Sequence, residues 1–142
     1  MSLLNSIGLV TIDLYYKIEE KKGVEKILIV ADSKAEELIK NGDTSIEKIS
    51  TKWKTLNFEE HNIVMEQSFS RANEKTGARE FSWARYRDMI VKTCLKQWDI
   101  VENGKEIPVT PENINSLPPH IVFALFRRFD DLTSYTDEEW GN

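Results

Sequence analysis

The side chains that could do chemistry are few and lie far apart in the sequence. The chain has two histidines, His61 and His120, and a single cysteine, Cys94. A zinc site needs three or four convergent ligands, and neither histidine has partners at metal-ligand spacing around it. Cys94 lies among the apolar positions of a predicted helix, which favours a buried small hydrophobic side chain over a nucleophile. We therefore expect no catalytic residue, no metal and no cofactor.

Carboxylates and phosphate-binding patterns lead to the same expectation. Glu59 and Glu60 are adjacent, so on a helix they diverge by about 100° and cannot share a substrate. The six glycines are scattered singly, and none belongs to a glycine-rich phosphate loop. The chain is therefore expected not to be an enzyme, and a small nuclease is the weakest alternative.

The segment 79–96 interleaves basic residues with Trp83 and Tyr86, a pattern that could bind nucleic acid. However, both aromatic residues fall on the predicted apolar stripe of a helix. The chain up to Arg128 also carries equal numbers of acidic and basic residues, which weakens its attraction for phosphate. Nucleic-acid binding is therefore the less favoured interpretation.

The whole net charge of −5 arises after Arg128. Residues 133–142 are predicted to be a flexible acidic tail, and two interpretations of it stay open. It is either a solvated terminus or a segment that docks on a basic partner surface, with Tyr135 and Trp140 as anchors.

The single cysteine favours a reducing compartment, and no apolar run approaches the roughly 18 residues that a membrane span needs. We expect a cytoplasmic protein without membrane contact.

Two hydrophobic patterns in residues 1–56 predict a β-hairpin. Residues 9–18 alternate apolar and polar side chains, which is the period of a half-buried strand. A polar loop ending in Gly23 follows. Residues 24–31 then hold a short β-branched apolar run, which favours a strand covered on both faces.

A short helix and a third strand complete this β-rich part. Ser33 and Glu36 form a capping-box pattern at the start of the helix, and Asn41-Gly42 supplies its stop. Residues 48–56 alternate again, with Ile49, Thr51 and Trp53 on one face and lysines on the other. Lysines of this kind are typical of sheet edges.

Residues 57–132 are predicted to be mainly helical. Asn57 with Glu60 forms a second capping signal, and an apolar stripe follows: Phe58, Met65, Phe69 and Ala72. Ser82 caps the next helix, which we expect to run to about Gln97. The two helices form an αα-hairpin joined by a short polar loop.

A small hairpin over 98–109 has Asn103-Gly104 at its tip. Pro111 begins a helical turn, and a final helix covers about 119–132.

We expect one core made of Trp83, Tyr86, Ile90, Trp98, Ile114, Leu117, Val122 and Phe126. Phe123 and Phe129 should remain on or near the surface. The fold class is thus α+β in a single domain, 1–142, with a small N-terminal antiparallel sheet and a short helix, then an αα-hairpin, a small β-hairpin and a C-terminal helix.

Residues 86–129 read YRDMIVKTCLKQWDIVENGKEIPVTPENINSLPPHIVFALFRRF. This stretch resembles small assembly proteins of tailed bacteriophages, namely tail assembly chaperones and related tail components. The matching positions are Trp98, Asp99, Asn103, Gly104, Pro108, Val109, Thr110, Glu112, Asn113, Ile114, Leu117 and Pro118. The resemblance covers about a third of the chain and does not extend to residues 1–56.

The resemblance implies a non-enzymatic assembly factor that holds a tape-measure or tube protein of the phage tail in an apolar groove. The candidate partner-binding residues are Phe123, Phe129, Tyr135 and Trp140. One alternative function stays open, a structural component of the particle such as a tail-completion or connector subunit. Formation of a homo-oligomer is open in either case.

Overall fold

The computed structural model describes residues 8–134, which form the predicted α+β fold. The elements in chain order are β1 (Val10–Lys21), β2 (Val24–Val30), α1 (Asp32–Lys40), β3 (Glu47–Trp53), α2 (Phe58–Gln67), α3 (Trp83–Cys94), β4 (Leu95–Trp98), β5 (Val101–Glu102), β6 (Lys105–Glu106), α4 (Pro111–Asn115) and α5 (Pro119–Thr133). Strands β2, β1, β3 and β4 lie side by side in one antiparallel sheet, and β5 and β6 form a separate hairpin.

The β1–β2 hairpin forms as predicted, but β2 is not covered on both faces. Lys22 and Gly23 have φ values of 54° and 79°, the left-handed conformation that a two-residue type I′ turn requires. Because β1 is the only strand beside β2 in the part of the chain that the structure describes, β2 is an edge of this sheet. Within it, Val30 is buried and Ile27 half-buried, while the other side chains are exposed.

Strand β3 has the predicted buried face but not the predicted edge position. Ile49, Thr51 and Trp53 are buried. The opposite face carries the lysines, and β3 lies between β1 and β4. Lys48 is accommodated there because Asp13 on β1 lies 3.5 Å from its Nζ atom. An inner strand can therefore carry exposed lysines when the neighbouring strand supplies a carboxylate on the same face.

The helix α1 ends as predicted but begins differently. It starts at Asp32 after Ala31, which provides no side-chain cap, so the expected capping box at Ser33 does not form. Gly42 follows the helix with a φ of 90°, the left-handed conformation typical of a helix stop.

The capping box of α2 is confirmed. The Glu60 N–H donates to Asn57 Oδ1 at 2.8 Å, and the Asn57 N–H donates to Glu60 Oε1 at 3.2 Å. The predicted apolar stripe is wrong, because Phe58 is 80% exposed and Val64 is the buried residue of this helix. After Gln67 the chain reverses direction at a turn over residues 74–76 and returns to Ser82, with a bridge between Phe69 and Phe81. The link between the helices is therefore long and partly paired.

Ser82 caps α3 as predicted, since its Oγ accepts the Arg85 N–H at 3.2 Å. The helix ends at Cys94 rather than near Gln97, because Leu95–Trp98 becomes β4 and pairs with β3. The main sheet thus takes a strand from the part of the sequence that was predicted to be helical.

The turn and the helix cap predicted in the C-terminal part are confirmed. Asn103 and Gly104 have φ values of 52° and 76° in the tip of the β5–β6 hairpin. The arms of this hairpin are only two residues each, shorter than predicted. The Thr110 hydroxyl accepts the Asn113 N–H at 3.1 Å and so caps α4, with Pro111 at the first helical position.

One apolar cluster lies between the sheet and the helices α3, α4 and α5. Its buried members are Ile12, Leu14, Ile49, Trp53, Val64, Ile90, Val91, Cys94, Leu95, Ile114, Ile121, Leu125 and Phe129. Two predictions about it are wrong. Phe129 is 4% exposed and stacks on Trp53 with ring centroids 4.7 Å apart, because the sheet presents a flat indole beneath this turn of α5. Trp83 is 72% exposed, since it is the first residue of its helix and has no preceding turn to cover it.

Candidate protein-docking surface

Two exposed aromatic side chains, Trp83 on α3 and Phe123 on α5, lie on either side of the half-buried Arg87. Trp83 and Arg87 are four positions apart, so they lie on the same face of α3. The guanidinium carbon of Arg87 lies 4.0 Å from the ring centroid of Phe123 on α5, well within the range of a cation–π contact. Phe123 is 42% exposed. We call Trp83, Arg87 and Phe123 the Trp–Arg–Phe surface.

Aromatic contacts hold the Trp–Arg–Phe surface in place from beneath. The Trp83 ring meets Phe81 edge-on at 4.9 Å and Tyr86 at 5.7 Å, and Tyr86 in turn meets Phe126 at 6.2 Å. Burial, together with the nearby Asp130 carboxylate, raises the pKa of Tyr86, so its phenol stays neutral at physiological pH. Edge-to-face pairs of this kind add to the stability of a packed cluster. The exposed indole therefore stands on a fixed base.

A groove of about 630 Å³ runs beside Phe123 between α5 and the edge strand β2. Its lining is mixed in charge and comprises Ile29, Arg87, Phe123, Ala124, Phe126, Arg127, Arg128, Asp130 and Asp131. Arg128 is already engaged: one of its terminal nitrogens donates to the Asp13 carbonyl at 2.6 Å and to Asp32 Oδ1 at 2.8 Å. Arg127 is exposed and has no ion pair among residues 8–134.

The four predicted partner-binding residues lie in different environments or outside the described part of the chain. Phe123 lies on the exposed surface, as expected. Phe129 is in the core and is not accessible to a partner. Tyr135 and Trp140 lie outside the described residues. Sequence reasoning missed Trp83 and Arg87 because it placed Trp83 on a buried stripe; its position directly after the Ser82 cap was the signal that could have revealed it.

The basic residues of segment 79–96 largely serve the protein itself. Arg79 donates to the carbonyls of Ser70 at 3.0 Å and Glu66 at 3.3 Å, and Arg85 donates to the Phe69 carbonyl at 3.4 Å. These bonds fasten the long link between α2 and α3. The interleaving of basic and aromatic residues thus has a structural cause.

Titratable groups meet in one cleft of about 590 Å³, where His61, Tyr86 and Asp130 are among the lining residues. A nucleophile and its base must be within hydrogen-bond reach. Among residues 8–134 no hydrogen bond joins His61 to Tyr86 or to Asp130, and Asp130 instead accepts from Ser134 at 3.4 Å. The three groups share a cleft without forming a catalytic arrangement.

The remaining chemical candidates are also separate. Cys94 is fully buried, and this burial raises the pKa of its thiol to about 12. His120 is exposed at the start of α5. In the part of the chain that the structure describes, no cluster of three or more histidine, cysteine or acidic side chains could hold a metal ion.

No helix within residues 8–134 is long and apolar enough to cross a membrane. Comparison of the chain with family models, with curated proteins and with solved structures found no match.

Proposed function

We propose that this chain is a non-enzymatic assembly factor that binds a protein partner through the Trp–Arg–Phe surface. The observation that carries the proposal is the exposure of Trp83, 72% open to solvent, on a rigid aromatic base. Trp and Arg are enriched among the residues that dominate binding energy at protein interfaces. A rigid indole also loses little conformational entropy when it is covered.

The partner we propose is a tape-measure or tube protein of a phage tail. Support for this comes from the stretch 86–129, which resembles tail assembly chaperones at positions between Trp98 and Pro118. The groove beside Phe123 combines apolar and charged side chains and suits an amphipathic helix, a recurring mode of peptide recognition. In this proposal Trp83 and Phe123 contact the apolar side of the partner helix, and Arg87 contacts a carbonyl or carboxylate at its rim.

The test is co-expression with the longest helical reading frame beside this gene, followed by calorimetric titration of the purified pair. Trp83→Ala is expected to weaken binding by about thirtyfold, equivalent to roughly 2 kcal/mol at a central interface residue. Phe58→Ala is the matched control, because Phe58 is another exposed aromatic residue at the first position of a helix but lies on α2. Equal affinities for the parent chain and both variants would contradict the proposal.

A second candidate function is a structural component of the particle. It is favoured by the edge strand β2, whose exposed apolar side chains could accept a strand from a neighbouring subunit. Mass spectrometry of purified particles separates the two functions, because a chaperone leaves the finished particle and a structural subunit remains in it.

A further inference from the structure

Within residues 8–134 no strand pairs with the outer side of β2, so its backbone edge is open there. In an antiparallel pair, residues alternate between those whose N–H and C=O groups face the neighbour and those whose groups point away. The two-residue turn is closed by a bonded pair, Lys21 with Val24. Counting from this pair, the backbone groups of Glu25, Ile27 and Ile29 point away from β1.

A negative side chain lies near one end of β2, and a positive side chain from α5 lies near the other. Glu25 lies directly opposite Glu20 of β1, and like charges in this position repel. Both are exposed, and neither takes part in an ion pair within residues 8–134. At the other end, Ile29 shares the groove with Arg127 of α5. Glu25 and Ile29 lie on the same face of the sheet, since they are four positions apart on one strand.

We infer that a second copy of this chain pairs with β2 in antiparallel orientation, with Ile27 facing Ile27 of the second copy across a two-fold axis. Each of the three outward residues then exchanges two backbone hydrogen bonds with the residue it faces. Glu25 of each copy faces Ile29 of the other and carries its carboxylate to the groove beside Arg127. The two-fold symmetry makes this favourable contact twice.

The charges select this register over its neighbours. Sliding the pair by two residues toward the turn places Lys26 directly opposite Lys26 of the second copy, which is repulsive. Sliding it the other way places Glu25 opposite Ala31, beyond the end of β2. The chosen register also brings Val24, 57% exposed, opposite Val30 and covers Leu28, 37% exposed, with Lys26. It leaves Trp83 untouched, but Glu25 of the second copy enters the groove that Phe123 and Arg127 line, so the dimer and the proposed partner would compete for that groove.

Sedimentation equilibrium over a wide concentration range tests the dimer. Ile29→Pro removes an N–H that β1 does not use, and the preceding residue is already extended, as a proline requires. We expect this variant to be monomeric and Ile29→Val, which keeps the N–H, to remain dimeric. Circular dichroism checks that both are folded. A parent chain that is monomeric throughout, or an Ile29→Pro variant as dimeric as Ile29→Val, would overturn the inference.

A charge exchange tests the register without altering the backbone. Glu25→Lys and Arg127→Glu are each expected to weaken the dimer about tenfold, and the double variant should recover most of the affinity. Further weakening in the double variant would refute the contact between these residues.

Cross-linking provides a second register test, because the natural Cys94 is buried. Ile27→Cys should form a disulfide-linked dimer with oxidised glutathione, since facing residues of such a pair lie about 5.5 Å apart at Cα, within disulfide range. Leu28→Cys faces Lys26 and should cross-link more slowly. The reverse order would exclude the proposed register.

Discussion

Replacing Phe129 by alanine tests the most informative difference between sequence and structure. Phe129 is 4% exposed, and its ring stacks on the fully buried Trp53 with an angle of 21° between the planes. Truncation removes the whole ring from the core and leaves a cavity against the indole. A change of this kind costs about 3–5 kcal/mol, of which roughly 0.5–1.5 kcal/mol belongs to the aromatic pair. This is a large part of the stability of a domain of this size.

Phe123→Ala is the matched control, because the same substitution is made on the same helix. Phe123 is 42% exposed and stacks under Arg87 rather than inside the core. The substitution removes partial burial and one cation–π contact, the latter worth about 0.5–1 kcal/mol at an exposed site. We expect a total cost near 1 kcal/mol.

Urea unfolding followed by tryptophan fluorescence measures both variants. The midpoint should fall far more for Phe129→Ala than for Phe123→Ala, with similar m values, because the surface exposed on unfolding barely changes. Near-ultraviolet circular dichroism should lose the signal of the Trp53–Phe129 pair in the first variant only. If the two substitutions destabilise the chain by the same amount, the assignment of Phe129 to the core is wrong.

Three further predictions concern buried and capping groups. Thr51→Val should lower the free energy of unfolding by about 1–3 kcal/mol, because the Thr51 hydroxyl accepts from Trp53 Nε1 at 2.7 Å and its loss leaves a buried donor without a partner. Thr51→Ser keeps the hydroxyl and should retain most of the unfolding free energy measured in urea. Burial raises the pKa of Cys94 from 9.0 to about 12, so the folded chain keeps a proton that the unfolded chain releases. The resulting stability is complete below pH 9 and is lost as the pH rises toward 12. Unfolding free energies at pH 8 and pH 10 should therefore differ more for the parent chain than for Cys94→Ala. Asn57→Ala should cost about 1 kcal/mol by removing the cap of α2, whereas Glu59→Ala, outside the box, should cost less in the same thermal unfolding assay.

The two proposed interfaces make separable demands on the molecule. The Trp–Arg–Phe surface concerns a partner of different sequence, and the β2 edge concerns a second copy. Trp83→Ala should weaken partner binding about thirtyfold and leave the dimer intact, while Ile29→Pro should abolish the dimer without weakening the contact at Trp83. Because one variant changes a side chain on α3 and the other a backbone group on β2, the failure of one proposal leaves the other testable.

Local signals in the sequence determined most caps and turns of this protein, although the box predicted at Ser33 does not form. The Asn57–Glu60 box, the Ser82 cap and the Asn103-Gly104 turn were all predicted and are all present. Each depends on residues within four positions, since a cap or a two-residue turn satisfies backbone groups of its own segment. The α+β class also followed from the change between a period of two and a helical period.

Only the tertiary structure decided which apolar residues are covered. Helical spacing could not tell Phe123 from Phe129, because it does not say where Trp53 of the sheet lies beneath α5. It placed Trp83 inside, although the segment beside the first turn of α3 contacts this indole through Phe81 and leaves it 72% exposed. The change from helix α3 to strand β4 could also not be predicted from local sequence. Pairing with β3 is a long-range interaction that overrides the local helical preference of residues 95–97. The candidate surface arises from these long-range decisions, so the sequence alone could name Phe123 but not the residues that surround it.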